Sequence, residues 1–126
     1  MISRFSLCVL LLLSGPAAAQ ETPDFRGPPF AMQGGEAIYR GVCQGCHMAD
    51  AKGAIGAGAY PALAGNAKLA SSGYVLTMVM KGRKAMPPFR GHFTNQQIAD
   101  VVNYVRSHFG NRFRGEVTAA DVETQR

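Results

Sequence analysis

Two cysteines and a histidine stand within five residues of one another, in the stretch Cys43-Gln44-Gly45-Cys46-His47. This C-x-x-C-H spacing is typical of the attachment site of a c-type haem. The two thiols would form thioethers with the two vinyl groups of the porphyrin, and the imidazole of His47 would bind the iron. With such a cofactor the iron porphyrin supplies the chemistry, and the protein sets its orientation and electrostatics.

Two other uses of paired cysteines fit the sequence less well. A dithiol redox pair is expected beside a βαβ unit, and no such pattern is visible. A zinc site would need a second Cys/His pair at suitable spacing, which the sequence lacks. The adjacent Cys46 and His47 also cannot easily both face one tetrahedral ion. Haem attachment is therefore the preferred interpretation.

The first 19 residues predict a secretory signal peptide. Arg4 provides the positive start, residues 5–13 form a short apolar stretch, and a run of small residues permits cleavage after Ala19. The stretch is shorter than the roughly 20 apolar residues of a membrane span, so an uncleaved anchor is disfavoured. Cleavage would remove Cys8 and leave two cysteines. We therefore expect an exported, periplasmic protein.

The chain that remains after cleavage has 107 residues, counted from the 126 of the full sequence, which is the size of one domain. Without Arg4 it carries 12 basic and 8 acidic side chains, a formal charge of +4. Two ionised haem propionates would lower this to about +2, which is too small to indicate nucleic-acid binding. It is compatible with steering toward an acidic protein partner. No later stretch approaches membrane length, so we expect no membrane span in the mature chain.

Helical periodicity predicts three main helices and hence an all-α fold. The first covers residues 34–43 and ends at the cysteine motif, and the second covers the nearly all-apolar residues 73–81. The third covers residues 94–109, where apolar side chains recur at helical spacing and Thr94 with Gln97 forms a capping box. Gly110 is expected to stop the last helix.

The segments between and beyond these helices predict the domain organisation. A proline-rich extended leader covers residues 20–32, the domain itself covers 33–110, and a C-terminal tail covers 111–126. Within the domain, the glycine-rich residues 49–66 predict a loop around one edge of the haem, because so many glycines disfavour a helix. Residues 83–93 predict a second loop, stiffened by prolines.

Met86 is the strongest candidate for a second iron ligand. It lies 39 residues after His47, which is enough chain to reach from one haem face to the other. Pro87 and Pro88 follow it, and they favour an extended, stiff backbone. A thioether is a weak ligand, so a stiff loop lowers the entropy cost of binding it to iron.

His92 is the rival ligand, because it lies only six residues from Met86 in the same loop. If His92 bound instead, the iron would carry two histidines and would still serve electron transfer. Met48 is too close to His47 to reach the opposite haem face. The remaining candidates are expected to have structural roles: Met78, Met80 and His108.

Together these motifs resemble a class I cytochrome c over residues 33–109. The parts occur in the family's order: Gly35-x-x-x-Tyr39, Cys43-x-x-Cys46-His47, Pro61-x-Leu63, Met86-Pro-Pro-Phe89 and a last helix with Tyr104. The resemblance implies that the glycine and tyrosine of the first part pack the first helix across the last.

The resemblance implies the class I cytochrome c fold, with three main helices and loops wrapped around one covalent haem c. Cys43 and Cys46 would hold the porphyrin, and His47 and Met86 would be the iron ligands.

The resemblance also implies three further haem-site residues. The carbonyl of Pro61 would accept a hydrogen bond from the ring of His47 and so orient it. Leu63 and Val79 would line the haem pocket.

The implied function is one-electron transfer, not enzymatic catalysis. A periplasmic dehydrogenase would be the donor, and an oxidase or another cytochrome would be the acceptor. Residues 115–122 resemble the ends of cytochrome subunits that accompany periplasmic dehydrogenases, so a subunit and a free carrier both remain open. Four basic side chains near Met86 could form a docking collar: Lys81, Arg83, Lys84 and Arg90.

The alternative function is a haem enzyme or a gas-binding protein with an open sixth iron position. This alternative requires that Met86 does not bind the iron.

Overall fold

The computed structural model describes residues 30–56 and 58–126. The predicted signal peptide at 1–19 and the leader up to residue 29 therefore lie outside the described residues. Within the described ranges, no helix has the length and apolar character needed to cross a membrane.

The first helical run carries the cysteine motif. Helix α1 (Gly35–Ile38), a π-helical turn (Tyr39–Cys43) and helix α2 (Gln44–His47) follow one another without a break. The prediction that the helix would end at Cys43 was wrong, because the helix continues through the motif. Single π-helical turns inside helices often occur at functional sites. The run ends at Met48, whose φ of +67° is incompatible with a right-handed helix.

The glycine-rich segment contains more regular structure than the predicted loop. Strand β1 (Ala54–Ile55) pairs antiparallel with strand β2 (Ala59–Tyr60), so that the first residue of each strand faces the last residue of the other. A 3₁₀ helix (Ala67–Ala70) follows and leads into the second main helix.

The two later main helices agree with the prediction. Helix α3 (Ser72–Lys81) is followed by Gly82 at a φ of +65°. Helix α4 (Asn95–Ser107) begins after Thr94, whose side chain and that of Gln97 form the expected capping box. Helix α4 ends earlier than expected, because the backbone is already extended at His108.

Residues 111–126 are folded against the domain. They include helix α5 (Ala119–Glu123), and the side chains of Val117 and Val122 are 5 % and 0 % exposed. The amide of Asn103, on α4, donates to Val117 O over 2.8 Å and accepts from Val117 N over 2.9 Å. Burial of apolar side chains together with paired backbone groups gives this segment a defined position on α4.

The first helical run crosses α4 at very close range. A Cβ atom on Gly35 would lie 2.2 Å from Asp100 O and 2.5 Å from Tyr104 Cβ, so only glycine permits this approach. The ring of Tyr39 lies 5.8 Å from that of Tyr104. This is the crossing that the resemblance implied. Around it lies the core, whose large buried side chains include Ile38, Tyr39, Leu76, Met80, Ile98, Val102 and Val122.

Candidate functional site

The helical run presents the two thiols and the imidazole in consecutive turns. Cys43 is half-buried and Cys46 is exposed, and both thiols are free. Residues three apart on a helix are neighbours on its surface, so both thiols face the same side. His47 is only 9 % exposed. The helix thus holds the three groups of the motif in a fixed relation to one another.

The ring of His47 is oriented by a backbone carbonyl. Its Nδ1 lies 2.9 Å from Pro61 O. Because a carbonyl can only accept, Nδ1 is the nitrogen that donates, and in the neutral ring Nε2 then carries the lone pair. Metal-binding histidines commonly have this arrangement, in which the second nitrogen fixes the tautomer and the ring direction. It is also the contact that the resemblance implied.

Gly53 allows Pro61 to reach the histidine. It has a φ of +68°, and a Cβ atom there would lie 2.1 Å from Tyr60 O and 2.8 Å from the carbonyl carbon of Pro61. Its N–H donates to His47 O over 3.1 Å. The sequence pattern of this segment did not distinguish Gly53 from the other glycines. Its need appears only when the hairpin is folded back on the helix.

Two further residues missed by the sequence analysis hold Leu63. Ala51 O accepts from Leu63 N over 2.7 Å, and Asn111 Nδ2 donates to Leu63 O over 2.9 Å. Ala51 is fully buried and Asn111 is 3 % exposed. Neither residue belongs to a recognisable motif, so no signal in the sequence pointed to them. Leu63 itself is half-buried and packs against the core.

Met86 lies in the loop of residues 83–93, called here the methionine loop. Its N–H donates to Arg83 O and its carbonyl accepts from Arg83 N, each over 3.0 Å. Lys84, in the turn between them, has a φ of +55°. A Cβ atom on Gly82 would lie 2.3 Å from Met86 O, so this glycine permits the close approach of the loop. The side chain of Met86 is half-buried.

The methionine loop returns along α3. Phe89 N donates to Val79 O over 3.0 Å, and the side chains of both residues are half-buried and pack against the core. The rival ligand His92 is also half-buried, with its ring 6.4 Å from that of Phe30. Of the residues expected to be structural, Met80 is 1 % exposed, and His108 stacks on the ring of Tyr104.

Burial perturbs two ionisable groups beside the motif. Burial, and then the neighbouring Cys46, raise the pKa of the Cys43 thiol to about 11. A redox dithiol needs a thiolate at neutral pH and hence a lowered pKa, so this environment disfavours that use of the pair. Burial also raises the pKa of Tyr39 to about 12, with smaller contributions from Cys43, Tyr104 and Asp50.

The donor groups fit a porphyrin better than a bare metal ion. In the part of the chain that the structure describes, no three side chains of His, Cys, Asp or Glu cluster as a metal site would require. The motif instead offers two thiols for covalent bonds and one imidazole nitrogen. Several apolar side chains are only half covered by protein, as expected beside a flat apolar cofactor: Leu63, Val79, Met86 and Phe89.

Comparison with known proteins agrees with this chemistry. Residues 30–105 match the family model described as cytochrome c oxidase, cbb3-type, subunit III. The chain is 30 % identical over 103 residues to cytochrome c-555 of Methylococcus capsulatus, covering 76 % of this chain and 79 % of that protein.

Two further relatives are named as subunits of dehydrogenases. The chain is 34 % identical over 105 residues to the cytochrome c subunit of the quinone alcohol dehydrogenase of Gluconobacter oxydans, covering 73 % of this chain and 22 % of that subunit. It is 35 % identical over 92 residues to the fructose dehydrogenase cytochrome subunit of Gluconobacter japonicus, covering 61 % of this chain and 19 % of the relative. The chain thus spans about a fifth of the length of these two relatives.

The family match covers more than half of the chain, and the mostly helical architecture is that of a class I cytochrome c. The family implies haem c as the cofactor. The chain therefore belongs to the cytochrome c family, and it is an electron-transfer protein rather than an enzyme.

Proposed function

We propose that this chain is a periplasmic one-electron carrier with a single haem c. Cys43 and Cys46 would attach the haem through thioether bonds, and His47 and Met86 would bind its iron. The carrier takes electrons from a dehydrogenase and passes them to an oxidase or another cytochrome. When bound, the haem iron supplies a one-electron couple between its ferric and ferrous states.

The orientation of His47 is the observation that carries this proposal. The 2.9 Å contact between Nδ1 and Pro61 O leaves Nε2 as the nitrogen that could bind a metal, on the helical run that also carries the two thiols. The hydrogen bond from Nδ1 also makes Nε2 a better donor to a metal. A histidine with a merely structural role would have no need of two free cysteines on the same face of its helix.

Met86 is favoured as the second ligand by the way its loop is held. The two hydrogen bonds with Arg83 and the close contact at Gly82 restrict the backbone on one side of the methionine. Pro87 and Pro88 restrict it on the other. A thioether held in this way loses little entropy when it binds iron, so ligation and not an open position is expected.

Pro61, Leu63 and Val79 complete the proposed haem site. Pro61 orients the histidine, and the two half-buried aliphatic side chains would pack on the porphyrin. Burying them against the cofactor adds hydrophobic stabilisation of about 25 cal/mol per Å². It would also exclude water from the iron, which is one of the levers that set a haem potential.

The donor and the location are proposed from the relatives and from the first 19 residues. Two relatives are named as cytochrome subunits of an alcohol and a fructose dehydrogenase, which favours a dehydrogenase as the electron source. A cleaved signal peptide at residues 1–19 would deliver the chain to the periplasm. Since residues 111–126 pack on α4, a dehydrogenase that bound them would meet a folded surface.

The spectrum of the haem-loaded protein tests the proposal. The ferric form should show the weak red sulfur-to-iron charge-transfer band, and the ferrous form should bind carbon monoxide only slowly. Met86→Ala should abolish the band and open the iron to carbon monoxide. Met78→Leu is the matched control, because that half-buried methionine lies on α3, outside the methionine loop.

The other outcomes each favour a different ligand set. No red band together with rapid carbon monoxide binding by the unaltered protein would favour an open iron, and with it an enzyme or a gas-binding protein. No band and no carbon monoxide binding would favour His92, which His92→Ala would then confirm by opening the site.

A further inference from the structure

The methionine loop is bonded to α3 through its N–H groups. Phe89 N donates to Val79 O over 3.0 Å, and Arg90 N donates to Met80 O over 3.3 Å. These bonds use the N–H groups of Phe89 and Arg90, so the carbonyl groups of the loop need other partners or water.

Arg126 supplies two of those partners. One terminal nitrogen of its guanidinium donates to Arg90 O over 2.7 Å, and the other donates to Phe93 O over 3.0 Å. The two carbonyls belong to the same loop and lie three residues apart. A planar guanidinium presents two separate nitrogens to the two carbonyls at once, whereas a lysine ammonium is a compact point charge without that fixed planar geometry.

The arginine is itself held in place. Its Nε donates to Asn95 Oδ1, and Asn95 Nδ2 donates to Glu123 Oε2 over 2.5 Å. Glu123 lies 3.9 Å from the same Nε, and the Arg126 side chain is 33 % exposed. The guanidinium is therefore ordered by two side chains before it meets the loop, which reduces the entropy lost in holding the loop.

The other end of the described chain reaches the same loop. Phe30 N donates to His92 O over 3.4 Å, and its ring lies 5.3 Å from that of Phe93. Gln97, which is 1 % exposed, donates to Phe30 O and to Met32 O. Residues 30–32 thus hold the loop at one carbonyl, and Arg126 holds it at two.

We propose that Arg126 is a positioning residue for Met86. By binding two carbonyls of the methionine loop it keeps the loop against α3, and the stiff Pro87-Pro88 pair transmits that restraint to the methionine. Loss of these two hydrogen bonds lets the methionine loop open more often and exposes the sixth iron position. The inference rests on the proposed ligation of iron by Met86.

Three variants of the haem-loaded full chain test this role. Arg126→Ala removes both hydrogen bonds to the loop, and Arg126→Lys keeps the charge but lacks the planar pair of terminal nitrogens. Arg112→Ala is the matched control, because it removes the same charge from an exposed residue of the same segment. The exposed position of Arg126 makes misfolding of its variants a minor concern.

Two measurements report on the loop itself. Amide hydrogen exchange at Phe89 and Arg90, whose N–H groups are bonded to α3, should speed up about tenfold in Arg126→Ala, the effect of losing about one net charged hydrogen bond. Carbon monoxide binding to the ferrous protein should also become about tenfold faster. Arg126→Lys should fall between, and Arg112→Ala should match the unaltered protein.

The outcomes separate this inference from the proposed function. If Arg126→Ala exchanges and binds carbon monoxide as the Arg112→Ala control does, the positioning role is wrong, even if the variant melts at a lower temperature. If the unaltered protein already lacks the red band and binds carbon monoxide rapidly, Met86 ligation fails, and the positioning role fails with it. Amide hydrogen exchange at Phe89 and Arg90 would then still show whether Arg126 holds the loop backbone against α3.

Discussion

The side of the molecule that carries His47 is built differently from the side that carries Met86. His47 ends a continuous helical run, and its ring and backbone are bonded to the folded hairpin through Pro61 and Gly53. Met86 lies in an irregular loop that is held by a few backbone pairs and by side chains from distant segments, among them Arg126.

The difference matters because regular structure and loops open at different free energies. A side chain at the end of a packed helix moves only when a large cooperative unit opens, whereas a loop with few contacts opens locally. We therefore expect the side that carries His47, called here the proximal side, to determine whether the protein folds around its cofactor. The side that carries Met86, called here the distal side, should determine how firmly the sixth iron position is closed.

Gly53→Ala should have the largest effect, and it tests the packing on the side that carries His47. The new Cβ atom would lie 2.1 Å from Tyr60 O at a φ of +68°, so both the contact and the backbone conformation are unfavourable. We expect a loss of about 3 kcal/mol in the free energy of unfolding. Urea denaturation of the haem-loaded protein measures it. Gly65→Ala is the control, since its φ of +58° is similar but no atom lies within 4 Å. Equal losses in both variants would contradict the role of the close contact.

The matched substitution on the distal side is Gly82→Ala. Its Cβ atom would lie 2.3 Å from Met86 O at a φ of +65°. Because the methionine loop can shift away from α3, we expect a smaller loss of about 2 kcal/mol in the free energy of unfolding. The red ferric band should weaken in the same variant, while Gly53→Ala should keep it in the fraction that folds. If Gly82→Ala is destabilised but keeps the red ferric band at full intensity, the methionine loop does not shift away from α3.

A third prediction concerns the alkaline stability of the proximal side. Tyr39 donates its hydroxyl hydrogen to Met48 O over 2.8 Å, and burial raises its pKa from 10.0 to about 12. The unfolded chain loses this proton first, so stability is full below pH 10 and falls as the pH rises from 10 toward 12. A thioether bond at Cys43 would remove the thiolate that contributes to this shift, so the haem-loaded protein should lose somewhat less stability.

Tyr39→Phe tests that linkage. At pH 7 the variant should lose about 1 kcal/mol of unfolding free energy, because Met48 O loses its donor. Above pH 10 its stability should decline less steeply than that of the unaltered protein. Denaturant titrations at several pH values measure both effects. Parallel pH curves for the two proteins would show that another group causes the alkaline loss.

The smallest expected effect concerns surface charge on the two sides. Lys52, near His47, lies 3.4 Å from Asp50, whereas Lys81 takes part in no ion pair among the described residues. Lys81→Ala should slow oxidation of the ferrous protein by hexacyanoferrate(III) about twofold at low salt, and the difference should vanish at about 1 M salt. Lys52→Ala should have less effect. A salt-independent difference would exclude steering as its cause.

The sequence predicted the main helices and the cofactor from patterns that lie within short stretches of the chain. Short-range patterns carry helices α3 and α4, because apolar periodicity and the Thr94–Gln97 capping box act within one or two turns. The spacing of Cys43, Cys46 and His47 indicates the cofactor, because the two thiols and the imidazole that would hold it come from one stretch of chain. The Pro61 contact was expected from the family resemblance, and the structure contains it.

Other features depended on contacts between residues far apart in the sequence. Local propensity did not show that the first helix continues through the motif to His47, whose ring and carbonyl are bonded to Pro61 and Gly53. The roles of Ala51 and Asn111 arise because each meets the backbone of Leu63 across a fold, and neither residue type marks such a site. Whether residues 111–126 would pack was likewise undecided by composition.

By itself, the sequence determined what chemistry this protein carries: a c-type haem motif, a candidate distal methionine and helices to surround them. The tertiary structure decided which contacts hold His47 and the methionine loop in place. Hydrogen bonds such as those from Arg126 to the methionine loop join residues more than 30 positions apart. Such contacts depend on the packing of the whole chain, and local pattern therefore does not reveal them.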